Sequence, residues 1–328
     1  MELNNFYMSK KALFIISVFS ILLLVVLIGG FSTHQCSRPG GESPLKKDEI
    51  QHITSIPLPG ELYFAGERVP LENFDVSESL ERELMVNTYW HSQTLLFIKK
   101  SKRYFAAIEP ILRDYNVPDD MKYLAVAESG LANVVSPAGA TGFWQILDGT
   151  ANDYRLEVND EVDERFHLEK STKAASQFLK DSYRKYGSWA LAAASYNMGR
   201  GNIAKQIERQ KSSDYYNMVL GDETGRYLYR LIALKLILED PEKYGYYLAR
   251  DQYYTEIPST LVEVDSAITS MPDFAHYYGI NYKMLKELNP WLRDDKLTNP
   301  YRKKYQIKII DTKYRKVSAD TAFYKPRE

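Results

Sequence analysis

The stretch MKYLAVAESGLANVVSPAGATGFWQIL, Met121 to Leu147, decides how the chain folds. Pro118 suits the first position of a helix, Asp119 and Asp120 suit its positive end, and Gly130 can take the left-handed conformation that closes it. The sequence therefore predicts a short helix ending at Glu128. Met121, Leu124, Ala125 and Glu128 fall at i, i+3, i+4 and i+7, so the carboxylate shares a stripe with apolar residues. Taking an unpaired carboxyl out of water disfavours its charged form and raises its pKa above the ordinary value of about 4.3, as a general acid near neutral pH requires. Glu128 is the candidate acid. The plainer reading is a helix-end residue satisfied by backbone or by a basic neighbour, because structural ion pairs also perturb acids.

Beyond that helix, Ser136 to Gly142 (SPAGATG) is a loop of small residues through which backbone can approach a ligand closely, and Phe143-Trp144-Gln145 follows at once. Trp144 offers a stacking face and Gln145 an amide that both donates and accepts; a tight turn into a helix from Gln145 to Tyr154 explains the same residues structurally. Further on, Ser188 can cap a helix over Trp189 to Asn197 whose alanines permit close packing, Gly199 terminates it, and Asn202 can cap the next. Tyr196 and Asn197 stand at the end of that helix, where a phenol and an amide can meet Glu128 or serve as ordinary capping groups.

The rest of the helical pattern surrounds these motifs. Apolar residues recur at near-helical spacing from Leu80 to Phe97, and Tyr104, Phe105, Ile108, Ile111 and Leu112 carry the pattern into a second helix. Ser171 to Tyr186 reads as another. Tyr227 to Glu239 (YLYRLIALKLILE) is too short and too charged at its flanks to span a membrane, so it is predicted as a buried core helix closing the unit. After Arg250 the pattern changes: Thr255 to Val264 alternates as a strand, Met271 to Tyr278 and Tyr282 to Leu288 read as short helices, and Tyr305 to Ile310 as a returning strand, a small unit expected to stand apart from the first.

Toward the amino end, Ala12 to Gly30 is an almost unbroken apolar run after Lys10 and Lys11, long enough to cross a bilayer by the criterion of roughly twenty residues. Without a clear small-x-small cleavage site it reads as an uncleaved anchor in preference to a removed signal peptide. Lipidation of Cys36 ranks third, since Thr33, His34 and Gln35 make a poor attachment context. Ser37 to Pro70 mixes Pro, Gly and charge and reads as loosely structured or partly extended chain. The expected organisation is therefore a stub and anchor or signal over 1–36, a tether over 37–75, a helical catalytic unit over 76–250, and a small module with a tail over 251–328.

The totals narrow the chemistry. A net charge of -1 with a pI near 6.6 gives no basic excess, so nucleic acid is not an expected partner. One cysteine rules out an internal disulfide framework, and five histidines without ligand spacing point to no metal and no cofactor. The 26 tyrosines against 13 phenylalanines add slight weight to sugar binding, since a phenol joins a flat apolar face to a polar handle.

Taken together, Glu128-Ser129, Gly142 to Ile146 (GFWQI) and Tyr196 to Gly199 (YNMG) resemble, in order and spacing, the soluble-lytic-transglycosylase type of catalytic domain within the lysozyme-like superfamily, over roughly residues 85 to 250. The resemblance implies a mainly α, lysozyme-like fold. It implies Glu128 as the acid/base, Ser129 as the neighbouring hydroxyl, Gln145 as a substrate-contacting amide and Tyr196 as a phenol touching the acid, with Trp144 and Asn197 in support. Ser195 and Met198 depart from the family's usual alanines without removing a chemical group. The carboxy-terminal unit is similar to LysM glycan-binding modules, notably in Lys286 to Pro290 (KELNP), but reads Val264-Asp265-Ser266-Ala267 where those modules carry Gly-Asp-Thr. A degenerate module packed on the helical unit and one that binds glycan are both open.

The implied substrate is peptidoglycan glycan, cleaved between N-acetylmuramic acid and N-acetylglucosamine with a 1,6-anhydro end as product, by a protein anchored in the membrane and facing the periplasm or wall. Two rivals stand beside it. One is a lysozyme-like muramidase in which Asp148 or Asp153 positions water, and the other is a noncatalytic peptidoglycan-binding anchor.

Overall fold

The computed structural model of the chain describes residues 54–315, which are mainly helical with two small antiparallel sheets. The apolar run Ala12 to Gly30, Cys36 and the first part of the tether lie outside the described residues. Among those described, no helix is long and apolar enough to cross a membrane.

The expected tether is partly folded. Strands β1 (Tyr63–Phe64) and β2 (Glu67–Arg68) pair as a hairpin, and Leu62, Phe64 and Val69 are buried in the same core as the helices. The reading of Ser37 to Pro70 as loosely structured or partly extended chain is corrected for its last part: these apolar side chains remove enough surface from water to hold the segment in place.

Helices α1 (Phe74–Tyr89) and α2 (His91–Asp114) meet at Trp90, whose φ of -84° and ψ of 59° interrupt the helix, whereas apolar spacing alone starts the second helix near Tyr104. A 3-10 turn over Asp119–Met121, led in by Pro118, opens α3 (Lys122–Ser129). Gly130 closes α3 at φ 62°, and a side chain there would put its Cβ 2.7 Å from Phe97. Helix α4 (Asp148–Asp153) begins later than predicted because Gln145 is held at φ 47°, off the helical path.

Four helices complete this unit: α5 (Leu168–Tyr186), α6 (Trp189–Met198), α7 (Arg200–Gln210) and α8 (Asp222–Glu239). Every residue of α6 from Trp189 to Ser195 is buried, and its alanines let α5, α7 and α8 pack closely around it. Its first turn is held twice. Ser188 Oγ accepts from Leu191 N at 3.3 Å, and the Glu67 carboxylate of β2 accepts from Trp189 N at 2.5 Å and Ala190 N at 3.0 Å. At the other end Gly199 closes α6 as expected, at φ 86°, and also leads α7; Asn202, expected to cap α7, lies within it and donates Nδ2 to Met198 O at 2.7 Å.

The rotation of α8 against α1 is fixed by charge. Glu83 of α1 is 1% exposed and meets Arg226 at 2.7 Å and Arg230 at 3.7 Å, both on α8, as well as Arg82. A buried carboxylate stripped of these partners costs several kcal/mol, so the register of the two helices is tightly specified.

The carboxy-terminal unit has the expected strand-helix-helix-strand order: β3 (Ser259–Val264), α9 (Met271–Tyr277), α10 (Tyr282–Leu288) and β4 (Tyr305–Ile310), with β3 and β4 antiparallel from Ser259↔Ile310 to Val264↔Tyr305. The Lys286 to Pro290 segment is spent on structure. Asn289 is buried, accepts from Lys308 N at 2.8 Å and donates to Lys308 O at 2.7 Å, tying α10 to β4. The unit does not stand apart as expected. Asp163 N donates to Trp291 O at 2.9 Å, Arg293 N donates to Glu161 O at 2.8 Å, and Val162 and Phe166 join Trp291, Leu292 and Ile307 in one core.

Candidate active site

Glu128 stands in the last turn of α3 with Met121, Leu124 and Ala125 buried on its stripe. Burial pushes its carboxyl up to about 7. Tyr227 opposes that rise by donating its hydroxyl to Oε1 at 2.6 Å, the charge of Glu223 adds to it, and Arg230 pulls the other way. A carboxyl poised there can hold a proton at neutral pH and also release it. Burial, with the Glu128 charge beside it, holds the Tyr227 hydroxyl well above the ordinary tyrosine range, so the phenol keeps its proton and remains a donor.

The phenol hydrogen-bonded to the acid is thus Tyr227, not Tyr196. The Tyr196 hydroxyl donates to Trp144 O at 2.7 Å, and its ring meets Trp144 and Phe178 edge-on at 6.4 and 5.2 Å. Tyr196 feels the Glu128 charge and so lies near it, but its hydrogen bond holds the Gly142 to Ile146 turn.

That turn gathers most of the remaining candidates. Ser129 Oγ lies 3.0 Å from Ala125 O and 2.8 Å from Phe143 O, and accepts from Ala132 N at 3.3 Å, so it fastens the end of α3 to the turn. Trp144 has no solvent exposure and donates Nε1 to Thr172 Oγ1 at 2.8 Å. The stacking face expected of it is therefore corrected to a core anchor, since no ring face is open to a ligand. Both donors of the Gln145 amide stay in the loop, reaching Val134 O at 3.0 Å and Gly142 O at 2.9 Å. Asn197 bridges α6 to α8, donating to Glu223 at 3.2 Å and accepting from Thr224 at 2.6 Å. Asp148 and Asp153 are exposed on α4, and neither is hydrogen-bonded to Glu128.

Among known families, residues 106–219 match the Transglycosylase SLT domain, and residues 260–313 match the Soluble lytic transglycosylase C-terminal LysM-like domain. The chain carries an SLT domain and a LysM-like domain. It is similar to the Membrane-bound lytic murein transglycosylase D of Escherichia coli K12 and of Escherichia coli O6:H1, 29% identical to each over 255 residues, which is 74% of this chain and 55% of each relative. The chain thus spans about half the length of the curated relatives it matches. A solved structure of the lytic transglycosylase Slt from Pseudomonas aeruginosa, an inactive mutant, is 17% identical and covers 46% of this chain and 26% of its own, with a TM-score of 0.36.

Glu128, Ser129, Trp144, Gln145, Tyr196 and Asn197 all fall inside the SLT span, whereas Tyr227 and Glu223 lie beyond its end. Those two are the residues that sequence reasoning missed. Tyr227 opens an apolar run and reads as core, and nothing in its local pattern names a partner 99 residues away. The one available signal is a tyrosine in the first turns of a helix predicted to close the unit.

Proposed function

We propose that this chain cleaves murein as a lytic transglycosylase, with Glu128 as the single acid and base. Protonated Glu128 donates to the oxygen leaving the N-acetylmuramic acid anomeric carbon. The resulting carboxylate then takes the proton from that sugar's 6-hydroxyl as its oxygen bonds to the same carbon. The bond to N-acetylglucosamine breaks, a 1,6-anhydro end forms, and no water is consumed. What carries the reading is Glu128 itself: a carboxyl raised to about 7 by burial, with a phenol as its only hydrogen-bonding side chain among the described residues, in a domain of the SLT family. The relatives' name supports murein as the substrate.

The two-carboxylate schemes of glycoside hydrolysis need a second acid as nucleophile or water activator. Glu223 acts on Glu128 through its charge, but its oxygen accepts from Asn197. Mass spectrometry of products from intact sacculi tests the choice: we expect muropeptides lighter by one water than their reducing-end counterparts. Reducing ends from the outset would establish hydrolysis instead.

Tyr227→Phe removes a donor that favours the carboxylate, so the Glu128 pKa should climb above about 7. The alkaline fall of kcat/KM should move to higher pH while kcat drops about tenfold, the loss of one charge-assisted hydrogen bond at the reacting group. A pH profile that stays in place would separate Tyr227 from the acid.

The apolar run Ala12 to Gly30, followed by the Pro- and Gly-rich segment, supports an anchored protein whose folded part faces the wall. Protease added to intact spheroplasts should digest that part, and protection there would reverse the topology.

A further inference from the structure

A cavity of about 330 Å³ opens where the LysM-like unit meets the helical one, and none of Glu128, Gln145, Tyr196 and Tyr227 lines it. Its size falls at the lower end of small-ligand sites, roughly 300–1,000 Å³. Phe143, Phe166 and Trp291 supply aromatic wall, and each is also in contact with another ring or a cation. Trp291 meets His167 at 5.5 Å and Tyr305 at 5.7 Å, Phe143 meets Tyr104 edge-on at 4.7 Å, and the Arg293 guanidinium sits 4.1 Å over Phe166.

The remaining charged groups on the same wall carry both signs. Arg103 donates Nε to Thr255 O at 2.7 Å and lies 5.3 Å over the Tyr254 ring, and its guanidinium has no carboxylate partner among the described residues. Glu256 and Glu287, both exposed, have no hydrogen bond or ion pair among those residues. By contrast, Glu169 is matched by Lys308 and by His167 at 3.1 Å. Asn133 Oδ1 is buried without a hydrogen bond among the described residues, an acceptor that suits an amide N–H.

We propose that this cavity binds a short peptide bearing both a free carboxylate and a free amine, with the carboxylate at Arg103 and the amine at Glu256 and Glu287. The charge pattern stands by itself. The source of the peptide rests on the proposed function: it is the peptide arm of the murein strand, held apart from the bond being cut.

Calorimetry on the full chain in detergent micelles tests this with an N-acetylated tetrapeptide that carries one side-chain amine and a free C-terminal carboxylate. Expected is saturable binding that weakens about tenfold when the carboxylate is amidated and about tenfold when the amine is acetylated. The double variant Glu256→Gln, Glu287→Gln changes only exposed side chains, and should abolish the effect of amine acetylation while keeping that of amidation. Arg103→Gln should do the converse, and Glu128→Gln should bind the peptide unchanged. No binding, equal affinity for all capped forms, displacement by a chitin tetrasaccharide, or loss of binding in Glu128→Gln would each overturn the assignment. A chain that binds the peptide in this way yet leaves sacculi uncut would sink the proposed function and leave the cavity assigned.

Discussion

Glu128→Gln is expected to lower murein cleavage about 10³-fold while making the protein more stable above neutral pH. The activity loss follows because an amide can neither give nor take the proton, yet it still accepts the Tyr227 hydrogen bond and fills the same space. The stability effect has a definite sign. Native Glu128 ionises near 7 and the unfolded side chain near 4.3, so the native state is relatively favoured below about pH 4.3 and loses that advantage as pH rises through 7. Above that range the wild type lacks about 4 kcal/mol that the glutamine variant keeps. Urea denaturation from pH 4 to 8 should show the gap between the two opening over this window and then levelling. A variant that still lyses sacculi, or a gap independent of pH, would remove Glu128 from its assigned role.

Gly142→Ala should be the most damaging glycine-to-alanine change among the described residues, costing more than about 4 kcal/mol. Gly142 has φ +81°, and an added Cβ would fall 2.1 Å from Arg165 O. Both partners are backbone. Arg165 sits in the 3-10 turn Glu164–Phe166, and Gly142 N donates to Val134 O at 2.9 Å, so neither can yield locally. The strain would pass into the turn that Tyr196 and Ser129 hold beside Glu128, so activity should disappear with stability. Gly149→Ala is the matched control: it lies on exposed α4 with nothing within 4 Å of where an added Cβ would fall, and should change stability by no more than about 0.5 kcal/mol. Equal denaturation midpoints for the two variants would show that the Gly142 contact imposes no such constraint.

Much of this was legible before any coordinates. The 3.6-residue period located α3, α5, α6 and α8 because a helix that must bury one stripe writes that stripe into its sequence. Glu128 stood out because a carboxyl on an apolar stripe breaks the pattern. Trp144 was harder to judge: a flanking loop of small residues fits a ligand-facing ring and a buried one equally well, and only packing against α5 through Thr172 decides between them. The hairpin at Tyr63 to Arg68 escaped because its strands are two residues each, too short to show an alternating pattern, while its stability comes from Leu62, Phe64 and Val69 meeting a core built from later residues.

Residues within one or two turns or strands of each other suffice to specify most of the helices, the place of Glu128 on an apolar stripe, and the small strand-helix-helix-strand unit. What only the tertiary structure decided is which phenol holds the acid, that Tyr196 serves the turn, and that residues 161–163 join the LysM-like unit by backbone hydrogen bonds to residues 291–293. These depend on the rotation of α8 against α1, set by Glu83 with Arg226 and Arg230, and on loops meeting across the core. Local periodicity states which face of a helix turns inward, but the partner it meets there is chosen by how the whole set of helices packs.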